Sequence, residues 1–166
     1  MRVIAITSML VGTSDYPLVP GSKLEKLGKF LGVPDRWDFG IEDEFTCQLG
    51  YADFEFSLRT RSNCVEVERV WLELWNAHHG EPQPKRSAIR LVEGIEVDLG
   101  GFQPGISLPS AKALLDSLRV FYEEFSQDDG SEIVSKIVLE TKSELYFFQG
   151  EYEPRLMEIH FFAGDE

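Results

Sequence analysis

His78 and His79 stand side by side with Glu81 close behind, residue types that can hold a transition metal. Their spacing argues against a metal centre. Adjacent residues on an extended chain point to opposite sides, and no third or fourth ligand follows at a metal-binding interval. The pair reads as part of a solvent-exposed connector. Asp128, Asp129 and Glu132 gather around Gly130 in "SQDDGSE". They lack the longer ligand series, closed by a glutamate, that a calcium loop requires, so an acidic turn accounts for them. Glu140 and Lys142 end an apolar strand in "VLETK". This has the form of the (D/E)xK half of a metal-dependent nuclease site, with Asp128 or Asp129 as the other carboxylate. In a chain with 29 acidic residues such a triplet arises readily by chance, and excess negative charge opposes a grip on DNA.

No G-x-S-x-G, Walker A or G-x-G-x-x-G pattern occurs. His160 lies within an alternating strand pattern and reads as a core or surface histidine. Cys47 and Cys64 form neither a CxxC pair nor a disulfide framework, and free thiols in a reducing cytosol explain them. The expectation is therefore a non-enzyme: no catalytic residue, no metal and no cofactor is assigned.

The 166 residues are 43% hydrophobic and 12% aromatic, enough to fill the core of one domain or two small, closely packed halves. The formal net charge of −13 repels nucleic-acid phosphates and anionic lipid, and attracts a basic partner. The segment "MRVIAITSMLVG" resembles a weak secretory leader, but Thr7 and Ser8 interrupt it and no A-x-A site follows, so it reads as a first strand. No run approaches the ~20 apolar residues of a membrane span. The localisation expected is cytoplasmic.

These candidates must be placed on elements. A strand pattern covers Arg2 to Val11. Leu24, Leu27, Phe30 and Leu31 then form a helical stripe, with Ser22 as N-cap and Gly32 as stop. After the break "GVPDRWDFG", strand patterns run from Phe45 to Leu49, from Tyr51 to Thr60 and from Val65 to Trp75, with "RSNC" as a hairpin turn. In "GYADFEFSLRTR", Phe54, Phe56 and Leu58 take one face and Asp53, Glu55 and Arg59 the other. Trp71 and Trp75 lie on one parity and Leu72 and Leu74 on the opposite one, so that strand is apolar on both faces. Residues 76–88 are the best linker in the chain. Beyond it come the strand "IRLVEGIEVDL", a turn-rich loop, and a helix capped by Ser110 that carries Leu114, Leu115, Leu118, Phe121, Tyr122 and Phe125. Three strands follow: Ile133 to Glu140, Leu145 to Gln149 and Leu156 to Ala163.

Both halves, 1–80 and 81–166, thus read as strand, helix and antiparallel meander, an α+β architecture with one helix packed on the sheet of each half. Pro20-Gly21 and Pro104-Gly105 share an offset of 84 residues, as do Leu24 and Leu108, Phe30 and Leu114, and Leu31 and Leu115. The order of elements implies an internal duplication.

"LGKFLGVPD" followed by "QLGYADFEFSL" resembles a group of small, mostly uncharacterised bacterial proteins that share an LGxPD helix end and a YGDxEFxF strand. Ala52 stands where that pattern prefers Gly. The resemblance implies a fold element and no activity. The paired layout is also similar to the beta-lactamase-inhibitor-protein architecture, in which two such halves form one concave sheet that binds a protein.

The reading that results is a non-enzymatic binding or inhibitor protein, most concretely an immunity protein that neutralises a basic toxin or nuclease. Its contact face is expected to include Asp53, Glu55, Arg59 and Trp75. A small-molecule or enzymatic domain with a pocket between the halves, and a self-associating accessory protein, stay open as alternatives.

Overall fold

The computed structural model describes residues 1–39, 46–61, 63–75, 86–126, 133–150 and 153–163. It is a mixed α+β fold built mainly from antiparallel strands. The first strand, β1 (Arg2–Ala5), is shorter than its apolar run. From Ile6 the chain turns into a helix, α1 (Ile6–Leu10), because Ile6, Met9 and Leu10 fall on one helical face and are all buried. Helix α2 (Leu24–Leu31) buries Leu27 and Leu31 and stops at Gly32, whose φ of 77° suits a residue without Cβ. Its N-cap is Lys23 rather than Ser22, and no side chain caps it.

Four antiparallel strands follow: β2 (Arg36–Phe39), β3 (Thr46–Tyr51), β4 (Phe54–Arg61) and β5 (Cys64–Glu73). Strand β2 occupies the segment expected to be a break, and its exposure on every residue hides it from periodicity. Ala52, at φ 50°, closes the β3–β4 turn, and its N–H donates to Asp35 at 2.8 Å. The glycine preference noted there thus has a conformational cause.

Residues 88–99 are not one strand but a tight hairpin, β6 (Ala88–Val92) and β7 (Ile95–Asp98), turned at Gly94 with φ 80°. Strands β1, β7 and β6 form a small sheet in which β1 pairs with β7 in parallel, unlike the antiparallel pairing expected. Helix α3 (Leu108–Leu118) is capped by Ser107, not Ser110, and ends where Arg119 adopts φ 57°. Phe121, Tyr122 and Phe125 therefore lie beyond the helix, and the last two enter strand β8 (Tyr122–Ser126). Strands β9 (Ile133–Leu139), β10 (Ser143–Gln149) and β11 (Pro154–Phe162) complete the chain much as the alternation predicts.

The large sheet has the order β2-β3-β4-β5-β11-β10-β9-β8, with β5 and β11 paired antiparallel at its centre. Each run of four strands follows a helix. Helix α2 packs near β5 and α3 near β11, both on the same face. Phe54, Phe56, Val70, Leu72, Leu145, Phe147, Leu156 and Ile159 line that face and are fully buried. The buried residues of the small sheet, among them Ile4, Ile89 and Val97, belong to the same core. One face of the large sheet is thereby covered by helices and the small sheet. The other carries the side chains of opposite parity.

Candidate functional site

Strand register defines what that second face presents. Across the middle of the sheet Glu55 on β4 neighbours Trp71 on β5, Trp71 neighbours His160 on β11, and His160 neighbours Glu144 on β10. One step along, Glu73, Glu158, Tyr146 and Lys136 form a second row across β5, β11, β10 and β9. These are the polar positions of alternating strands whose apolar positions fill the core.

His160 is the deepest of them, 9% exposed although it lies on the face away from the core. Aromatic rings surround it: Tyr146 at 4.5 Å, Trp71 at 5.2 Å and Phe162 at 6.0 Å between centroids. Its Nε2 lies 3.0 Å from Glu158 Oε2. The Tyr146 hydroxyl donates to Glu144, which also receives Lys136 Nζ at 3.3 Å. Burial, then the hydrogen bond to Glu144 and the charges of Glu144 and Glu158, push the Tyr146 phenol far above its ordinary range and keep it a proton donor. The cluster is compact, largely buried and held by its own hydrogen bonds. Two donors stand apart. Trp71 Nε1–H is buried and has no acceptor among the described residues. The Arg69 guanidinium lies 6.0 Å from the Trp71 ring, and Arg69 lines a depression of about 470 Å³ shared with Gln48, Ser57 and Phe162.

The expected contact residues fall on or beside this face, and each already has a partner. Glu55 and Arg59 lie on β4 itself. Arg36 crosses over Gly50, where a Cβ would approach within 2.5 Å of its Cγ, and bonds Glu55 at 3.1 Å. Arg59 bonds Glu68 at 2.8 Å. Asp53 sits in the β3–β4 turn rather than on the strand and pairs with Arg86 at 2.5 Å. Trp75 packs edge-on against Phe148 of β10, with centroids 5.5 Å apart. The two tryptophans of one parity thus both lean across the central β5–β11 junction, while Leu72 and Leu74 enter the core.

The sequence marks no role for Arg69, Glu144, Tyr146 or Glu158, and for His160 only that of a core or surface histidine. Alternation in "ELYFFQ" and "RLMEIHFF" signals their common face, but pairing between β5 and β11, some 90 residues apart, creates the cluster. Lys142, at φ 65°, and Glu140 flank the β9–β10 turn. His78, His79, Glu81, Asp128, Asp129 and Glu132 lie outside the described residues. Among those described, no three histidine, cysteine or acidic side chains group to hold a metal, and no helix is long and apolar enough to cross a membrane. Both cysteines are free, and burial raises the Cys47 thiol above its usual range. Comparison with known proteins finds no family, no curated protein and no solved structure that matches the chain.

Proposed function

We propose that this chain is a cytoplasmic, non-enzymatic binding protein that engages a basic protein through the face of its eight-stranded sheet opposite the helices. An immunity or inhibitor protein that neutralises a cationic toxin or nuclease is the most concrete form of that role. The observation that carries the reading is the set of half-buried rings Trp71, Tyr146, Phe148 and Phe162 on the same sheet face as Glu73, Glu144 and Glu158. Large aromatic rings held by neighbouring strands supply contact area at little entropic cost, and carboxylates around them favour a cation. Free thiols support a reducing compartment.

A tandem origin fits the same surface. Backbone bonds Gly21 N to Val67 O and Val67 N to Ser22 O in one half have counterparts in Gly105 N to Leu156 O and Leu156 N to Ile106 O in the other. Both helices therefore start from an equivalent contact with the inner strand, and the meanders would be related by a two-fold axis at β5–β11. The extra helix α1 and the parallel β1–β7 pair depart from that symmetry.

The test uses a basic protein, first among them the product of an adjacent gene, in surface-immobilised kinetics. Trp71→Ala should raise the dissociation rate at least tenfold while circular dichroism and thermal melting show an intact fold. Equal dissociation rates for wild type and Trp71→Ala, and for Tyr146→Ala, would remove the face from the interface.

A further inference from the structure

On the opposite, helix-bearing side a cleft of about 680 Å³ lies between the loop Ser14–Gly21 and helix α2. Its charge runs against that of the chain. Lys23, the N-cap of α2, and Lys26 and Lys29 within the helix, at three-residue intervals, all line it. Arg2 lies over the rings of Tyr16 and Phe30, 5.8 and 5.2 Å from their centroids, and those rings form its inner wall. Arg2 is not part of the lining; against its three lysines stand Asp15, which also lines the cleft, and Glu25, whose carboxyl is held below its ordinary range by Lys29, bonded at 2.5 Å, and by the charge of Lys23. Lys23, Lys26 and Arg2 have no carboxylate partner among the described residues. Glu66 lies opposite Lys23 across an isolated backbone bridge and pairs with Arg61 at 3.9 Å.

We propose that this cleft binds a small phosphorylated molecule. The ammonium groups of Lys23 and Lys26 would meet the phosphate, the hydroxyls of Ser14, Ser22 and Tyr16 would supply further donors, and Phe30 with Val19 would contact an apolar or planar body. Three features support a ligand rather than a solvated lysine face. Three lysines line one cleft, two of them, Lys23 and Lys26, have no ion-pair partner among the described residues in a chain rich in carboxylates, and the wall beside them is aromatic. This role is separate from partner binding on the other face, so either can fail alone.

Amide chemical-shift titration of the whole chain with AMP and, separately, with inorganic pyrophosphate tests it at constant ionic strength. Saturable shifts at Lys26 and Phe30 with either probe are expected. AMP binding more tightly than pyrophosphate would assign a role to the aromatic wall, and pyrophosphate binding equally well would leave the phosphate as the recognised group. Lys26→Glu should weaken binding at least tenfold and Lys26→Arg should retain it. Shifts no larger than those from matched sodium chloride, or affinity unchanged in Lys26→Glu, would overturn the proposal.

Discussion

At the scale of the residue, Tyr146 couples the sheet face opposite the helices to proton binding. Its hydroxyl donates to Glu144 while burial and two carboxylates oppose its ionisation. The phenol of the unfolded chain ionises near its ordinary value of 10.0, whereas the folded one stays protonated well above it. Above that pH the native state binds more protons than the unfolded state, so stability present at lower pH is lost as pH rises. Urea midpoints should therefore fall between about pH 9 and pH 11, and Tyr146→Phe should flatten the fall. It should not abolish it, because Tyr51 and Tyr122 are shifted in the same direction, chiefly by burial. An unchanged slope in Tyr146→Phe would show that neither burial nor Glu144 holds back ionisation of this phenol. Phe54 makes the complementary case. Alternation alone assigns it to the core, it is fully buried, and Phe54→Ala should cost about 3–5 kcal/mol by chemical denaturation. Inward and outward parity was thus legible in the sequence; that Tyr146, Glu144 and His160 would meet was not, because cross-strand neighbours depend on register.

At the scale of the element, legibility followed how much of a segment is buried. The stripe of α2 and the alternation of β4, β9 and β10 are dictated by one apolar face each, and their positions were readable. The short helix α1 was not, since Ile6, Met9 and Leu10 sit in a run apolar enough to pass for a strand. The error over α3 has a specific cause. Leu118, Phe121, Tyr122 and Phe125 preserve helical spacing, but the left-handed turn at Arg119 ends the helix and passes the later aromatics to β8. Capping separates the two longer helices in a measurable way. Ser107 accepts the Ser110 N–H at 3.4 Å, whereas α2 has no side-chain cap. Ser107→Ala should destabilise the protein by about 1 kcal/mol. Ser22→Ala should change stability by less than about 0.5 kcal/mol, as expected of a residue outside such features. Comparable losses from both substitutions in urea melts would show that the caps are misassigned.

At the scale of the whole molecule, the net charge of −13 is shared as −5 over residues 1–84, with 8 basic and 13 acidic residues, and −8 over residues 85–166, with 8 basic and 16 acidic. Both halves would therefore contribute to one negative field that attracts a basic partner, and the association rate should fall as salt screens that field. The ion pairs refine which side chains do this. Asp53 and Glu55, the carboxylates that the sequence makes conspicuous, are each answered by an arginine, Arg86 and Arg36. Neither pair is legible from the chain, because the partners are 33 and 19 residues away. Glu73 is exposed on the same face and has no ion-pair partner among the described residues. Charge reversal by Glu73→Lys should accordingly slow association with a basic protein more than Asp53→Lys does. Removing the cation that masks Glu55, by Arg36→Ala, should accelerate it. The expected size is a few-fold in on-rate at low salt, converging toward wild type as ionic strength rises, with dissociation rates little changed. Arg36 is more than half exposed, so its loss should leave the fold intact, which a thermal melt can check. If on-rates were indifferent to salt, or if Arg36→Ala slowed association, the carboxylates of this face would not be what draws the partner in.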